Sequence, residues 1–281
     1  MKIPPPPGCN VVLAERVLTA FLREETCKFG FERAVLGLSG GLDSAVVAEL
    51  AVRALGGSNV LALAMPHATS SQASLELARA SARHAGAMLE VVDITPMAEA
   101  HAAVTGIADD GPAARLRRGN ICARTRMVVL YDRSVQWRGL VLGTSNKTEL
   151  LLGYGTIYGD MACALNPLGD LYKSQVFALA RHLGVPEPIL ERPPSADLWA
   201  GQTDEQDLGF TYAEADALLH LAVDRRYSRE ALLRAGFPEA FVERIKTMVR
   251  ASQYKRMPPI IAKLANRTVN LDYRYPRDWG V

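Results

Sequence analysis

The sequence predicts an α/β protein with a parallel sheet that helices cover on both faces, followed by a mostly helical C-terminal third. Continuous apolar runs alternate with amphipathic stretches through the first half of the chain, a pattern typical of buried parallel strands joined by helices. After Gly153 the pattern changes: a turn-rich stretch over 154–169 has no clear period and is expected to fold over a site, and helical periodicity follows it. A chain of 281 residues fits one domain, 1–281, with an α/β body over about 10–185 and a helical part over about 186–281.

Four apolar runs are the predicted strands, and they span about 34–38, 60–65, 88–94 and 139–144. Asn10 is the expected N-cap of a helix that precedes the first strand. The helices predicted between the strands run over about 42–55, from a cap at Ser70 or Ser71 to about 84, and over about 113–137. Beyond the sheet, helices are predicted over about 173–183, 212–223, 229–234 and 239–252.

Composition excludes several classes of protein. The formal net charge is +2, so the overall charge gives no reason to expect a nucleic-acid or membrane partner. The four cysteines are far apart and form no C-x-x-C pair, which disfavours a zinc ribbon, an iron–sulfur site and a disulfide framework. Neither a signal-peptide core nor a run of transmembrane length is present. We therefore expect a cytoplasmic protein with reduced thiols.

A turn rich in glycine and serine joins the first predicted strand to the next helix, with the sequence Ser39-Gly40-Gly41-Leu42-Asp43-Ser44. Backbone N–H groups converge at such a turn and can bind an anion. The glycines allow close approach of phosphate oxygens, and Asp43 is a hard oxygen ligand that suits Mg²⁺. No lysine closes the turn, so it is not the common G-x-x-x-x-G-K-[ST] loop. Alone, it could also be an ordinary tight strand-to-helix connection.

The fourth predicted strand leads into a second polar segment, Gly143-Thr144-Ser145-Asn146-Lys147-Thr148-Glu149. Because the carboxyl ends of parallel strands share one edge of the sheet, we expect Asp43 and Glu149 to lie close together. Two carboxylates beside a triphosphate suit Mg²⁺, which takes its other ligands from phosphate and water. Taken by itself, Glu149 could equally be an ordinary acidic residue in the first turn of a helix.

The glycine turn resembles the loop of the ATP pyrophosphatases (the PP-loop superfamily), and the complete set of motifs resembles the NAD⁺ synthetases. The resemblance covers about residues 10–260. Its matching blocks are 38–45, 120–127, 143–149, 158–160, 166–176, 194–199, 202–205, 208–209 and 254–259. The first block is shared by many ATP pyrophosphatases, whereas the full set, in this order, is specific.

The resemblance implies a Rossmann-like fold of the adenine nucleotide alpha hydrolase type. It also implies a ligase that amidates nicotinic acid adenine dinucleotide (deamido-NAD) with ammonia. ATP would activate the acid as an acyl-adenylate, so that the products would be NAD⁺, AMP and pyrophosphate. Mg²⁺ is the implied cofactor. A homodimer with the dinucleotide site at its interface is the implied assembly.

Roles for individual residues follow from the same resemblance. Asp43 and Glu149 would bind Mg²⁺, and Asp43 and Lys173 would be catalytic. Arg124, Tyr254 and Lys255 would contact deamido-NAD, with Tyr254 at a position that is often His in the family. The residues that would contact ATP are Gly37, Leu38, Ser39, Gly40, Gly41, Leu42, Asp43, Ser44, Thr144, Lys173 and Ser195.

The chain departs from the family pattern at two positions that commonly contact the dinucleotide. Ile157 stands where a lysine is common, and Ala164 where an aspartate is common. Loss of one positive and one negative group preserves the charge balance, which suggests a coupled change. Our hypothesis is that Asp160, Asn166 or backbone groups replace the missing contacts.

Three questions stay open on sequence alone. The length leaves no room for an appended amidase domain, so free ammonia is the expected nitrogen donor, although a separate glutaminase partner is an alternative. The chain could also be another ATP pyrophosphatase that adenylates a different acid or an RNA base. A third possibility is a nucleotide-sensing protein that keeps the loop and has lost turnover. Ile157 and Ala164 are the only features that favour the sensor.

Overall fold

The fold is known from a computed structural model, which describes residues 3–28, 30–108, 111–195, 203–256 and 259–268. Within these ranges four strands form one fully parallel sheet in the order β3-β2-β1-β4. The strands are β1 (Arg33–Gly37), β2 (Val60–Ala64), β3 (Met88–Val91) and β4 (Gly139–Leu142). In register, Val35 of β1 lies opposite Leu61 of β2 and Val141 of β4. The predicted parallel sheet is confirmed.

The helices of the α/β part are α1 (Val11–Cys27), α2 (Leu42–Leu55), α3 (Gln72–Ala85), α4 (Thr95–Val104), α5 (Pro112–Trp137), α6 (Lys147–Leu152) and α7 (Lys173–Leu183). Those that follow are α8 (Glu187–Leu190), α9 (Asp204–Leu208), α10 (Tyr212–Leu219), α11 (Arg229–Arg234), α12 (Glu239–Ala251) and α13 (Gln253–Arg256). A π-helical turn, His220–Asp224, continues α10. None of the helices in the described ranges has both the length and the apolar content needed to cross a lipid bilayer.

The two faces of the sheet carry two separate cores, because successive side chains of a strand point to opposite faces. Ala34 and Leu36 pack with α1, α2, α3 and α7 on one face. Val35 packs with α4 and α5 on the other face. Cys122 is buried in this second core and packs there with apolar side chains. Both faces of the sheet are therefore covered, as the continuous apolar strands predict.

A third core holds the helical C-terminal part together and joins it to the edge of the sheet. Its apolar side chains come mainly from α10, α11 and α12, and they pack against Leu152 of α6 and Tyr172 just before α7. Since α6 follows β4 and α7 begins at Lys173, this packing brings the C-terminal helices close to the carboxyl ends of the strands.

Helix α4 lies in a segment, after the third predicted strand, for which the sequence predicts no helix. The third predicted strand, 88–94, ends at Val91, and α4 begins at Thr95. Asp93 Oδ1 accepts hydrogen bonds from the N–H group and the hydroxyl of Thr95, which orders the start of this helix. The remaining strand and helix boundaries lie within a few residues of their predicted positions.

The topology creates a crevice beside β1. The chain passes from β1 to β2 on one side of β1 and returns to β4 on the other, so the order of the strands reverses between β1 and β4. In open α/β sheets ligands bind outside the carboxyl ends of the strands at such a point. Residues 38–41 and 143–146 are the segments that leave β1 and β4 there.

Candidate functional site

The glycine turn after β1 is held by its own serines and packs against α3. Ser44 Oγ accepts a hydrogen bond from Ser39 N at 3.2 Å and donates one to Gly41 O at 3.0 Å. Gly40 has a φ of +78°, and a Cβ there would lie 2.3 Å from Ser74 O. Gly41 is the N-cap of α2, and no side chain caps this helix end. The turn therefore presents a helix N-terminus, which favours a bound anion.

Lys173 lies between two carboxylates that come from distant parts of the chain. Its Nζ forms an ion pair with Asp43 in the first turn of α2 and lies 3.3 Å from Glu149 Oε1 in α6. Only 3% of the Lys173 side chain is exposed. The structure thus brings together Asp43 and Glu149, as expected from the shared sheet edge.

Asn146 fixes the geometry of both carboxylates. Its Oδ1 accepts from Glu149 N at 3.0 Å, and Glu149 Oε2 accepts from Asn146 N at 3.3 Å, so the pair forms a capping box at the start of α6. The Asn146 Nδ2 group donates to Asp43 Oδ1 at 2.9 Å. Asn146 belongs to a motif noted in the sequence, but nothing in its spacing indicated the bond to Asp43.

The pKa values of Lys173 and Glu149 depend on each other and on the charge of Asp43. Burial raises the pKa of Glu149, and Lys173 opposes this rise. Burial lowers the pKa of Lys173, but Asp43 and Glu149 outweigh burial, and the net shift of the Lys173 pKa is upward. Lys173 is therefore a permanent cation near neutral pH, held at the mouth of the glycine turn by two acidic side chains.

These two carboxylates fit a divalent cation. Asp43 Oδ2 and Glu149 Oε1 both reach the same ammonium nitrogen, so their oxygens converge on one region. In the part of the chain that the structure describes, no group of three or more His, Cys, Asp or Glu side chains is arranged to hold a metal. An ion bound by Asp43 and Glu149 would take its other ligands from phosphate and water, as Mg²⁺ does in nucleotide sites.

A third carboxylate, Asp204 of α9, interacts electrostatically with Lys173, and no role is predicted for it in the sequence analysis. Asp204 is buried and accepts hydrogen bonds from Tyr154 Oη at 3.0 Å and Tyr212 Oη at 2.9 Å. The ring of Tyr212 is centred 5.1 Å from Lys173 Nζ. Burial raises the pKa of Asp204, and Lys173 and the two phenols lower it. The only sequence signal was its place in the 202–205 block.

A cleft of about 740 Å³ runs along this edge of the sheet. Of the residues that the family resemblance assigns to ATP, Mg²⁺ or deamido-NAD, Gly40 alone is not part of its lining, because the position of a Cβ at Gly40 faces α3. Ser195 and Arg192 line the cleft as well. Residues 196–202, which include part of two motif blocks, lie outside the described residues. The predicted residues that line the cleft are Gly37, Leu38, Ser39, Gly41, Leu42, Asp43, Ser44, Arg124, Thr144, Glu149, Lys173, Ser195, Tyr254 and Lys255.

The three residues expected to contact the dinucleotide line the same cleft. Arg124 Nε, on α5, donates to Ile157 O at 3.4 Å, and the side chain of Tyr254 is half exposed. Lys255 Nζ donates to Gly153 O and Gly155 O, each at 2.8 Å. Lys255 thus holds a turn of the cleft wall, and burial lowers its pKa.

The two departures from the family pattern lie in different places. Ile157 lines the cleft, as does Asp160, whose Oδ1 accepts from Thr156 N at 2.8 Å. Ala164 instead lines a second cavity of about 470 Å³ beside β4. Asn166 is not part of the cleft lining, and its Nδ2 donates to Ser145 O at 3.0 Å. Of the two side chains suggested as replacements, only Asp160 reaches the cleft.

A parallel sheet, a lysine-free glycine turn at its switch point and facing carboxylates define a nucleotide-binding protein of the PP-loop α/β class. Comparison with known proteins shows to which family of this class the chain belongs. The sequence model of the family described as NAD synthase matches residues 14–259. The chain therefore belongs to the NAD synthase family.

Individual relatives agree with this assignment. The chain is 56% identical to an NH(3)-dependent NAD(+) synthetase of Chlorobaculum tepidum over 267 residues, which are 95% of each chain. It is 46% identical to the protein of the same name from Fusobacterium nucleatum, over 91% of this chain and 97% of that one.

Solved structures of similar proteins share the fold of this chain. An NH3-dependent NAD synthetase from Campylobacter jejuni superposes with a TM-score of 0.75 at 34% identity, and the match covers 91% of this chain and all of that one. An NMN synthetase from Francisella tularensis superposes with a TM-score of 0.77 at 33% identity, over 92% of this chain and all of that one.

Proposed function

We propose that this chain is a ligase that amidates deamido-NAD with ammonia and ATP, and forms NAD⁺, AMP and pyrophosphate. The observation that carries the proposal is the position of Lys173, which pairs with Asp43 and Glu149 beside the glycine turn. A fixed cation and two carboxylates beside the N-terminus of α2 suit a magnesium–triphosphate complex, which supports the proposal. Membership of the NAD synthase family supports the choice of reaction.

The chemistry requires activation of an acid rather than a protein nucleophile. The nicotinate carboxylate attacks the α-phosphorus of ATP, the bond to the β-phosphate oxygen breaks, and pyrophosphate leaves. Ammonia then attacks the carbonyl of the acyl-adenylate, loses a proton to the surroundings, and expels AMP. Such phosphoryl transfer depends mainly on alignment and charge neutralisation. Lys173 and the N–H groups of the glycine turn supply both.

Mg²⁺ is part of the proposal, with Asp43 and Glu149 as its protein ligands. When bound, the ion would neutralise charge on the triphosphate. Asn146 prepares the ligands, since it donates to Asp43 and caps the helix that carries Glu149. Lys173 pairs with both carboxylates and so holds them close together.

The second substrate is proposed to occupy the part of the cleft lined by Arg124, Tyr254 and Lys255. Arg124 provides a cation on α5, and the half-exposed ring of Tyr254 offers a face on which a nicotinate or adenine ring can stack. Asp160 is the proposed polar replacement within this region, because it lines the cleft near Ile157. These assignments to the dinucleotide are predictions.

A homodimer is also proposed, with α5 at its interface. Four large apolar side chains of α5 are exposed: Leu116, Val128, Tyr131 and Val135. Arg124 lies on the same helix and lines the cleft, so a second copy packed on α5 would border the dinucleotide region. A cytoplasmic location and the absence of a nucleic-acid partner stay predictions from composition.

Ammonia is the proposed nitrogen donor. The relatives from Chlorobaculum tepidum and Fusobacterium nucleatum carry an NH(3)-dependent name and match this chain over nearly their whole length. A glutaminase partner would supply the same ammonia. It would not change the chemistry of this site.

One assay tests the proposed function. Purified protein is incubated with ATP, Mg²⁺, ammonium and deamido-NAD, and NAD⁺, AMP and pyrophosphate are measured. We expect the three products in equal amounts, no turnover with Asp43→Ala, and little product when glutamine replaces ammonium. Pyrophosphate without NAD⁺ would point to another acceptor, and ATP binding without turnover to a sensor. Nicotinic acid mononucleotide is tested in parallel because of the likeness to an NMN synthetase.

A further inference from the structure

Asp216 is a fully buried carboxylate that the reaction itself does not use. It lies in α10 with 0% of its surface exposed. Its Oδ1 accepts a hydrogen bond from Thr148 Oγ1 at 2.5 Å, and its Oδ2 accepts one from Ser174 N at 2.7 Å. One carboxylate of the C-terminal helical part thus binds the first turns of both α6 and α7.

A second hydrogen bond extends this connection to Lys173. The Lys173 N–H group donates to Thr148 Oγ1 at 3.0 Å. Thr148 is the neighbour of Glu149 in the chain, and Ser174 is the neighbour of Lys173. Asp216 and Thr148 therefore hold the backbone at Lys173 and Ser174, and they join it to α6 at Thr148, the residue before Glu149.

A buried carboxylate is a costly way to join two helices. Among the described residues, no Lys, Arg or His side chain forms an ion pair with Asp216. Burial raises the pKa of Asp216, and the hydrogen bonds from Thr148 and Ser174 oppose this rise. A neutral side chain would fill the space without the desolvation cost.

The two helices are already joined elsewhere. Asp224, in the π-helical turn, accepts from Lys147 Nζ at 2.9 Å and from Tyr172 Oη at 3.1 Å. Its partners are the first residue of α6 and the residue before α7. Since Asp224 ties the same two helix ends near the surface, stability alone does not require a second, buried carboxylate between them.

We propose that Asp216 is a positioning residue for adenylation, which acts through Thr148 to set Lys173 and Glu149 at the spacing that one phosphate group requires. The inference deepens the proposed function and rests on it. Small displacements of such groups reduce the rate of phosphoryl transfer far more than they reduce binding. The signature of this role is a loss of kcat with little change in KM for ATP.

The test uses Asp216→Asn and a matched pair at Thr148. Asn offers one acceptor where Asp offers two, so one of the two donors loses its partner. Thr148→Val keeps the size of the side chain and removes the hydroxyl, whereas Thr148→Ser keeps the hydroxyl. Leu232→Ala, in the third core away from the site, is the stability control. Each full-length variant is assayed for NAD⁺ formation and for its Tm.

We expect Asp216→Asn and Thr148→Val to lower kcat by roughly ten- to hundredfold with KM for ATP changed by less than about twofold. Thr148→Ser should retain most of the wild-type kcat, and Leu232→Ala should lower Tm without lowering kcat at a temperature where the protein is folded. If Asp216→Asn does not fold, the difference in kcat between Thr148→Val and Thr148→Ser tests the positioning role instead.

Two results would overturn the positioning role. One is wild-type kcat in Asp216→Asn and Thr148→Val with a Tm lowered as in Leu232→Ala. The other is equal loss of kcat in Thr148→Ser and Thr148→Val, since the hydroxyl would then not be the connection. A wild-type protein that forms no NAD⁺ would contradict the proposed function instead, so the two failures are distinguishable.

Discussion

At the scale of single residues, the site depends on one buried ammonium group that balances two carboxylates. Lys173 is nearly inaccessible to solvent, so its charge is stable only because Asp43 and Glu149 surround it. The reverse also holds. Without Lys173 the two carboxylates would repel each other in a poorly solvated site, and the pKa of Glu149 would lose the interaction that lowers it.

Replacement of Lys173 by Met tests this balance through stability. In the wild type, the raised pKa of Lys173 means that its contribution is fully present below its ordinary value of 10.5 and is lost only as pH rises through the folded value. Burial already raises the pKa of Glu149 in the wild type, and Lys173→Met removes the interaction that opposes this rise. The folded variant therefore holds this proton more strongly than the wild type does, and its stability falls more steeply as pH rises above about 4.

We expect Lys173→Met to be about 3 kcal/mol less stable than the wild type at pH ~8 and closer to it at pH ~5. Urea unfolding of both proteins at the two pH values measures the difference. An equal loss of stability at both pH values would contradict the proposed coupling. Turnover by this variant should be undetectable at either pH.

Part of this residue-scale picture could be predicted from the sequence. The meeting of Asp43 and Glu149 follows from a rule about parallel strands, because both residues come just after strands that share an edge. Asp204, Tyr212 and Asp216 belong to later helices, and the periodicity of a helix does not say where it docks. Their contacts with the site therefore became visible only in the structure.

At the scale of elements, the glycine turn and α3 form one packed unit. Gly40 has a φ of +78°, and its backbone approaches Ser74 O too closely for a side chain. Gly86, after α3, also has a φ of +78°, but nothing lies within 4 Å of the position of a Cβ there. A side chain would therefore strain the backbone at both positions, but it would clash with a neighbouring helix only at Gly40.

Gly40→Ala should cost more stability than Gly86→Ala. We expect about 1 kcal/mol for the strain that both variants share, and roughly 1–3 kcal/mol more for Gly40→Ala because α3 must move. The same movement displaces the glycine turn, which we propose binds the phosphates of ATP, so KM for ATP should rise in Gly40→Ala only. Urea unfolding and steady-state kinetics measure the two effects. Equal losses of stability in the two variants would show that the contact with α3 is unimportant.

The elements that the sequence predicts well are those with a strong pattern. β1 and β2 are buried on both faces and appear as continuous apolar runs. β3 is an edge strand with exposed Met88 and Val91, which explains why its end was misplaced. Helices α6 and α9 have six and five residues, too few for a helical period to be recognised. Helix α4 is rich in alanine and gives a weak amphipathic signal.

At the scale of the whole molecule, the exposed side of α5 is the main surface that remains to be explained. Its apolar residues include Val128 and Val135, which are 58% and 78% exposed. Val128 and Val135 are seven residues apart and so lie on one side of the helix, and grouped exposed apolar residues mark interaction sites more often than isolated ones do. The sequence suggested a dimer only through the family resemblance, because exposure on one face of a helix depends on what else packs there.

The proposed homodimer predicts an effect of charge on this surface. We expect the wild type to sediment as a dimer and the double variant Val128→Asp, Val135→Asp to sediment as a monomer, because the carboxylates would be buried without partners. Val104→Asp, at an 89% exposed apolar position on α4, is the matched control and should remain dimeric. Analytical ultracentrifugation distinguishes these outcomes. A monomeric wild type, or dissociation by Val104→Asp alone, would contradict an interface on α5.

The central claim is that Asp43 and Glu149 together bind the metal ion of a metal–nucleotide complex. The most direct test is a crystal structure of the wild type with ATP and Mn²⁺, with diffraction data measured at the manganese absorption edge. Mn²⁺ prefers the same oxygen ligands as Mg²⁺ and gives an anomalous signal. We predict a peak bound by Asp43, Glu149 and phosphate oxygens, with Lys173 Nζ beside the phosphates. A nucleotide-bound peak with neither carboxylate among its ligands would contradict the proposed site.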